Sequence, residues 1–161
     1  MINLSPDEKK NLLTHLNASI GFLELGLPLD AWNELESIEA KHRSFAEVLK
    51  VRLEVCRALE KWEMMAEIAQ FLAKGEPEES SHLLNFAYAM RRFENVEVAE
   101  KILTDAETKF PEDSLIKYNL GCYRAVLGRV AEARLNLAEA FQRDPDLRIT
   151  AIDDPDLEDV W

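Results

Sequence analysis

Three histidines, His15, His42 and His82, and two cysteines, Cys56 and Cys122, are the residues whose chemistry could bind a transition metal or attack a substrate. Zinc needs three or four such ligands gathered by motifs such as Cys-x-x-Cys or His-Glu-x-x-His. Neither motif occurs and the histidines lie far apart, so they read as surface or half-buried imidazoles and no metal is expected. A nucleophilic thiol needs a lowered pKa beside a base. Both cysteines instead stand among apolar neighbours, where free cysteine behaves as a small buried hydrophobe. The sequence has no Gly-rich phosphate loop and no Gly-x-Ser-x-Gly elbow. Its carboxylates are scattered at helix-surface spacings beside basic residues, as Glu97 is with Lys101. These residues predict neither an enzyme nor a cofactor.

The elements that must position any site are helical. The 161 residues are 47% hydrophobic and 31% charged with only five Gly and six Pro, which supports a packed core over a disordered or linker-like chain. Acidic residues outnumber basic ones 31 to 19, and the net charge of −12 disfavours a nucleic-acid surface as partner. No signal peptide and no membrane-length apolar run is visible, so a soluble cytoplasmic protein is expected. Two cysteines with no disulfide pattern suit that reducing compartment. Ser5-Pro6-Asp7-Glu8 has the form of a helix start: an N-cap serine, proline at the first helical position, and glutamate three residues after the cap.

Laid on itself at a period of 34, the chain gives four ungapped blocks, 12–45, 46–79, 80–113 and 114–147. Aligned columns read Ala31, Met65, Ala99, Ala133; Ser19, Leu53, Ala87, Gly121; Ile38, Leu72, Ala106, Ala140; and Leu35, Ala69, Leu103, Leu137. A further column ends the blocks with Arg43, Pro77, Pro111 and Pro145. Gly26 and Gly128 mark turns in mid-block, so each block is predicted to hold two helices of about 13 residues joined by a short turn. Small residues at the crossings let the helix axes approach closely. Nothing alternates with a period of two, which excludes strands and makes the fold all-α.

The fourth block carries Tyr118-Asn119-Leu120-Gly121, Gly128, Glu132-Ala133, Ala140 and Asp144-Pro145, and with these it resembles a tetratricopeptide repeat (TPR). The third block is similar through Ala87, Ala99, Ala106 and Pro111, while the first has Arg43 where proline is usual. The resemblance implies a right-handed superhelical solenoid of four hairpins over residues 1–147, with 1–11 starting the first helix. Residues 148–161 are expected to form an acidic C-terminal cap, with Ile149, Ile152, Leu157, Val160 and Trp161 lying across the last hairpin.

In such a solenoid the first helix of each hairpin lines the concave side. Positions four and three apart share that face. The candidate peptide-binding residues there are Leu16, Ile20, Lys50, Arg57, Leu84, Asn85, Tyr88, Arg91, Arg92, Tyr118, Asn119 and Cys122. Core is the alternative reading for Leu16, Ile20 and Leu84, since a leucine at helical spacing is usually core. Asn85 and Asn119, with Asn17, form a column that either reaches a peptide backbone or satisfies helix groups. The paired Lys, Asn and Arg clamp with which some members of the family hold an acidic tail is not reproduced, since Leu16, Ile20, Leu84 and Tyr88 stand at those positions.

The expected function is a non-catalytic scaffold or adaptor that binds a peptide or helix of another protein in a groove with apolar ends and a basic middle. The alternative is a self-associating subunit, a possible homo-oligomer whose acidic tail enters a neighbour's basic patch, or a chaperone-like protein shielding an apolar client.

Overall fold

The computed structural model describes residues 4–160, and no strand occurs among them. The fold is α1 (Pro6–Glu24), α2 (Pro28–Glu36), α3 (Ala46–Ala58), α4 (Trp62–Gly75), α5 (Ser80–Phe93), α6 (Val96–Lys109), α7 (Ser114–Val126), α8 (Val130–Arg143) and α9 (Leu147–Ile152). Short 3-10 helices lie at Ala40–His42 and Pro155–Val160. The chain divides into two compact units, 1–68 and 69–161.

The first helix starts at the residues the sequence marks. Ser5 Oγ accepts from the Glu8 amide at 3.2 Å, and Glu8 Oε2 accepts from the Ser5 amide at 2.9 Å. This reciprocal box satisfies two helix-end donors at once. Lys41 Nζ, 2.6 Å from Glu8 Oε1, is the main reason the Glu8 carboxyl titrates at about 2. In the first unit, α1 and α2 close on Leu12, Leu16, Ala31, Leu35 and Ile38, joined by Val48 and Val55 of α3. Ser19, fully buried on α1, donates to the Ala31 carbonyl at 3.0 Å and ties the crossing.

The 34-residue columns are the core of each unit. Ala31, Met65, Ala99 and Ala133 are each 0% exposed. In the second unit α7 meets α8 so closely at Gly121 that an added Cβ would lie 2.7 Å from Leu137 Cγ. That is why the column of Ser19 and Ala87 ends in glycine.

The turns within the first, second and fourth hairpins share one geometry. Gly26 and Gly128 take φ +70 and +74, and Glu60, one period from Gly26, takes φ 55. After α1, α3 and α7 the amides of Leu27, Lys61 and Arg129 bond back to the carbonyls of Phe22, Cys56 and Arg124 at 2.8–2.9 Å. These are Schellman closures, which require a left-handed residue at that point. The third hairpin departs: Glu94 has φ −118, and the Asn95 side chain caps α6 by accepting from the Val98 amide.

The first repeat also departs from even helix lengths, since α1 has 19 residues and α2 only 9. Arg43, in the proline column, folds back on the end of α2. Its Nε donates to the Ile38 carbonyl at 2.7 Å, one terminal nitrogen meets Glu36 Oε2 at 2.8 Å, and the other meets the Glu36 carbonyl. A guanidinium fork thus closes carbonyls that the helix end leaves open. His42 and His82 are buried at 5% and 4% exposure, deeper than the half-buried imidazoles expected, because Phe45 packs on one and Glu76 bonds the other at 2.7 Å.

Candidate functional site

The second unit brings Arg91, Tyr118 and Cys122 together, and the residues they meet belong to the chain's own C-terminal segment. Tyr118 and Cys122 lie one turn apart on α7, and Arg91 sits in the last turn of α5. The Tyr118 hydroxyl donates to Asp154 Oδ2 at 2.7 Å, and Cys122 Sγ approaches the same oxygen at 3.4 Å. Arg91 donates through both terminal nitrogens to the two carboxylate oxygens of Asp156, one of them at 2.7 Å. The guanidinium also lies 5.3 Å over the Tyr123 ring. Such a fork-to-carboxylate pair is among the stronger polar contacts a protein makes.

The segment is shaped for this contact by its own chemistry. The Asp156 amide donates to Asp154 Oδ1 at 3.0 Å, and Pro155 fixes the backbone between them, so a tight turn presents both carboxylates. Leu157 and Val160, at 0% and 1% exposure, join the core of the second unit, each burial being worth about 1.5–3 kcal/mol. From α8, Arg134 donates to the Val160 carbonyl through Nε at 2.9 Å and through a terminal nitrogen at 2.6 Å. Ile149 and Ile152, expected across the last hairpin, are instead 70% and 74% exposed, because α9 turns Leu147 and Ala151 inward. Trp161 lies outside the described residues.

Burial, reinforced by the Asp154 carboxylate, pushes the Cys122 thiol and the Tyr118 hydroxyl well above their ordinary ranges. Burial alone raises Cys56 to about 11. Both thiols are therefore held protonated at neutral pH, the opposite of an activated nucleophile. Ligand atoms of Cys122, Asp154 and Asp156 lie within 4.8 Å of one another. Each is already engaged, Asp156 by a guanidinium and Asp154 by two side-chain donors and an amide, so the cluster works as a hydrogen-bonded anchor.

The other expected site residues take varied places. In the first unit Leu16 is 6% exposed and belongs to the core, whereas Ile20 on the same helix is 40% exposed. Lys50 is exposed on α3, and Arg57 is half-buried with Nε 3.1 Å from Glu54. In the second unit Leu84, Asn85 and Tyr88 are half-buried on α5, with Leu84 against the core. Arg92 is exposed and stacks 5.5 Å over the Tyr88 ring. Asn119 turns its amide to the Leu115 carbonyl of its own helix at 2.8 Å, so it serves α7 itself.

Lys117 is a buried ion-pair centre that periodicity did not disclose. It bonds Glu107 at 2.8 Å and Glu139 at 2.7 Å. Burial pulls its ammonium down, but the two carboxylates outweigh that and leave it above its ordinary range. Arg134, and the partners that the tail carboxylates find within the chain, were equally silent, because these contacts join residues far apart in the sequence and outside the repeat period.

No protein-family model and no curated protein matches the sequence. Among solved structures, a thermophilic TPR protein from Thermus thermophilus superposes with a TM-score of 0.67 at 18% identity, covering 83% of this chain and 74% of that one. A double mutant of MamA RS-1 superposes with a TM-score of 0.69 at 17% identity, covering 89% of this chain and 79% of that one. Together with the strandless hairpins and their 34-residue core columns, these likenesses give the chain the tetratricopeptide-repeat fold, a helical-repeat solenoid.

Proposed function

We propose that the protein is a non-catalytic interaction scaffold that holds a peptide or helix of another protein on the faces of its first helices. The observation that carries this reading is the segment 154–160, which lies against α5 and α7 through Arg91 and Tyr118. A face that seats one short 3-10 segment by charge, hydroxyl and apolar contacts has the means to seat another. Leu84, Asn85, Tyr88 and Arg92 extend this face in the second unit, and Ile20, Lys50 and Arg57 offer apolar and basic chemistry in the first. Protonated thiols and the engaged carboxylates at Asp154 and Asp156 support a binding role over catalysis. No helix among the described residues is long and apolar enough to cross a membrane. The two free cysteines suit a reducing cytoplasm.

Affinity capture from native lysate, read by mass spectrometry, tests the reading with wild type against Lys50→Glu/Arg92→Glu. A protein held by wild type and lost by the variant supports binding through these faces. Equal capture by both baits overturns it. Self-association is the second reading, favoured by Ile149 and Ile152, which stand exposed on α9. Sedimentation of Ile149→Asp/Ile152→Asp tests it: a wild-type dimer that becomes monomeric would support it.

A further inference from the structure

The contacts of residues 154–160 define a recognition chemistry as well as a folded end. Two carboxylates two residues apart meet Arg91 and Tyr118, and aliphatic side chains one and four positions after the second carboxylate enter the core. Immediately before the segment, Ile152 and Asp153 are exposed, so the seated stretch begins at a solvent-facing junction. Nothing in these contacts requires the segment to be joined to α9.

We propose that the α5–α7 face is an acceptor site for an acidic–apolar segment of a partner protein, and that residues 154–160 are its resident occupant, which the partner must displace. This rests on the scaffold reading and adds to it the partner's chemistry and a built-in competitor. A tethered segment acts at an effective concentration in about the millimolar range, so a free peptide competes poorly until the tether's own contacts weaken. The apparent affinity for a partner is then the intrinsic affinity reduced by the fraction of molecules with the face open. The charge of the site fits: Arg91 donates to a carboxylate, and the excess negative charge of the whole chain makes a second copy a poorer source of that segment than a separate partner.

The test uses the full chain and a fluorescein-labelled peptide of residues 152–160. Asp156→Ala/Leu157→Ala weakens the resident segment without touching the acceptor residues. The labelled peptide is expected to bind this variant at least tenfold tighter than wild type by anisotropy, and adding Arg91→Ala is expected to remove at least tenfold of that gain. A scrambled peptide should not bind. Equal binding to wild type and variant, or indifference to Arg91→Ala, would overturn the proposal. If the variant does not fold, hydrogen exchange on wild type decides: amides of 156–160 must exchange faster than those of α7, and exchange only with global unfolding would sink the idea. A dimer of wild type that disappears in the variant would assign the displacing segment to a second copy and overturn the partner assignment. Peptide binding without any captured partner would leave this site standing and remove the scaffold reading, whereas the converse would do the reverse.

Discussion

A Cβ built on Gly121 would stand 2.7 Å from Leu137 Cγ and 2.9 Å from Leu137 Cδ2, so α7 and α8 touch where only a hydrogen fits. Alanine ordinarily strengthens a helix interior by about 0.5–1 kcal/mol over glycine. Here the gain is outweighed, because Leu137 is 2% exposed and overpacking costs about 1–3 kcal/mol. Gly121→Ala is expected to destabilise by about 1 kcal/mol. Gly21→Ala, with nothing within 4 Å of its added Cβ, should stabilise by up to about 1 kcal/mol. Urea midpoints of the two variants should move in opposite directions.

Glu60 carries the left-handed turn of the second hairpin that glycine carries in the first and fourth. A side chain at φ 55 crowds its own carbonyl, at a cost of about 1–2 kcal/mol. Glu60→Gly should therefore stabilise the protein by about 0.5–1 kcal/mol, after the extra freedom of glycine in the unfolded chain is offset. At Glu94, where φ is −118, the same substitution should destabilise. Thermal unfolding of the pair separates backbone strain from loss of a surface charge.

Arg43 closes the end of α2 through Ile38 and Glu36, and lysine cannot reproduce that planar fork. Arg43→Ala should cost about 1–2 kcal/mol, the usual result of leaving half-buried carbonyls without a donor. Arg43→Lys should recover less than half of it. Denaturant unfolding of both variants checks the order.

The hairpins were legible because repetition wrote them four times. Every member of the Ala31 and Leu35 columns is buried, since a stacked repeat must bury the same face at each period. The Ser5 capping box was legible for a local reason, its donors and acceptors lying within three residues. The candidate site was read only in part. Spacing puts Arg91, Tyr118 and Cys122 among the first-helix residues, but the groups they meet, Asp154 and Asp156, come from beyond the last full repeat, where periodicity carries no information. The acidic tail was expected to find a basic patch on a neighbour, and it finds Arg91 of the same chain. Leu16 and Ile20 differ by one turn on α1, yet one joins the core with α2 and α3 and the other is exposed, a distinction that residue type does not carry.

Cys122 ties that anchor to alkaline pH. Burial first, and Asp154 second, raise its folded pKa above the ordinary thiol value of 9.0. For a group whose folded pKa is raised, the stabilisation is fully present below the unfolded value and is lost as pH climbs toward the folded one. In that window the native state holds a proton that the unfolded chain has released, and stability falls by about 1.4 kcal/mol per pH unit for each such group. Cys56, raised to about 11, adds the same sign from pH 9 upward, and Tyr118 joins above pH 10, its ordinary value. Urea unfolding at pH 8, 9 and 10 should therefore show a falling wild-type curve. Cys122→Ala should fall less steeply, by up to about 1.4 kcal/mol per unit above pH 9, while keeping the Tyr118–Asp154 bond. Parallel curves for the two proteins would show that the thiol is not the proton-linked group, and would leave Cys56 and the tyrosines to account for the slope.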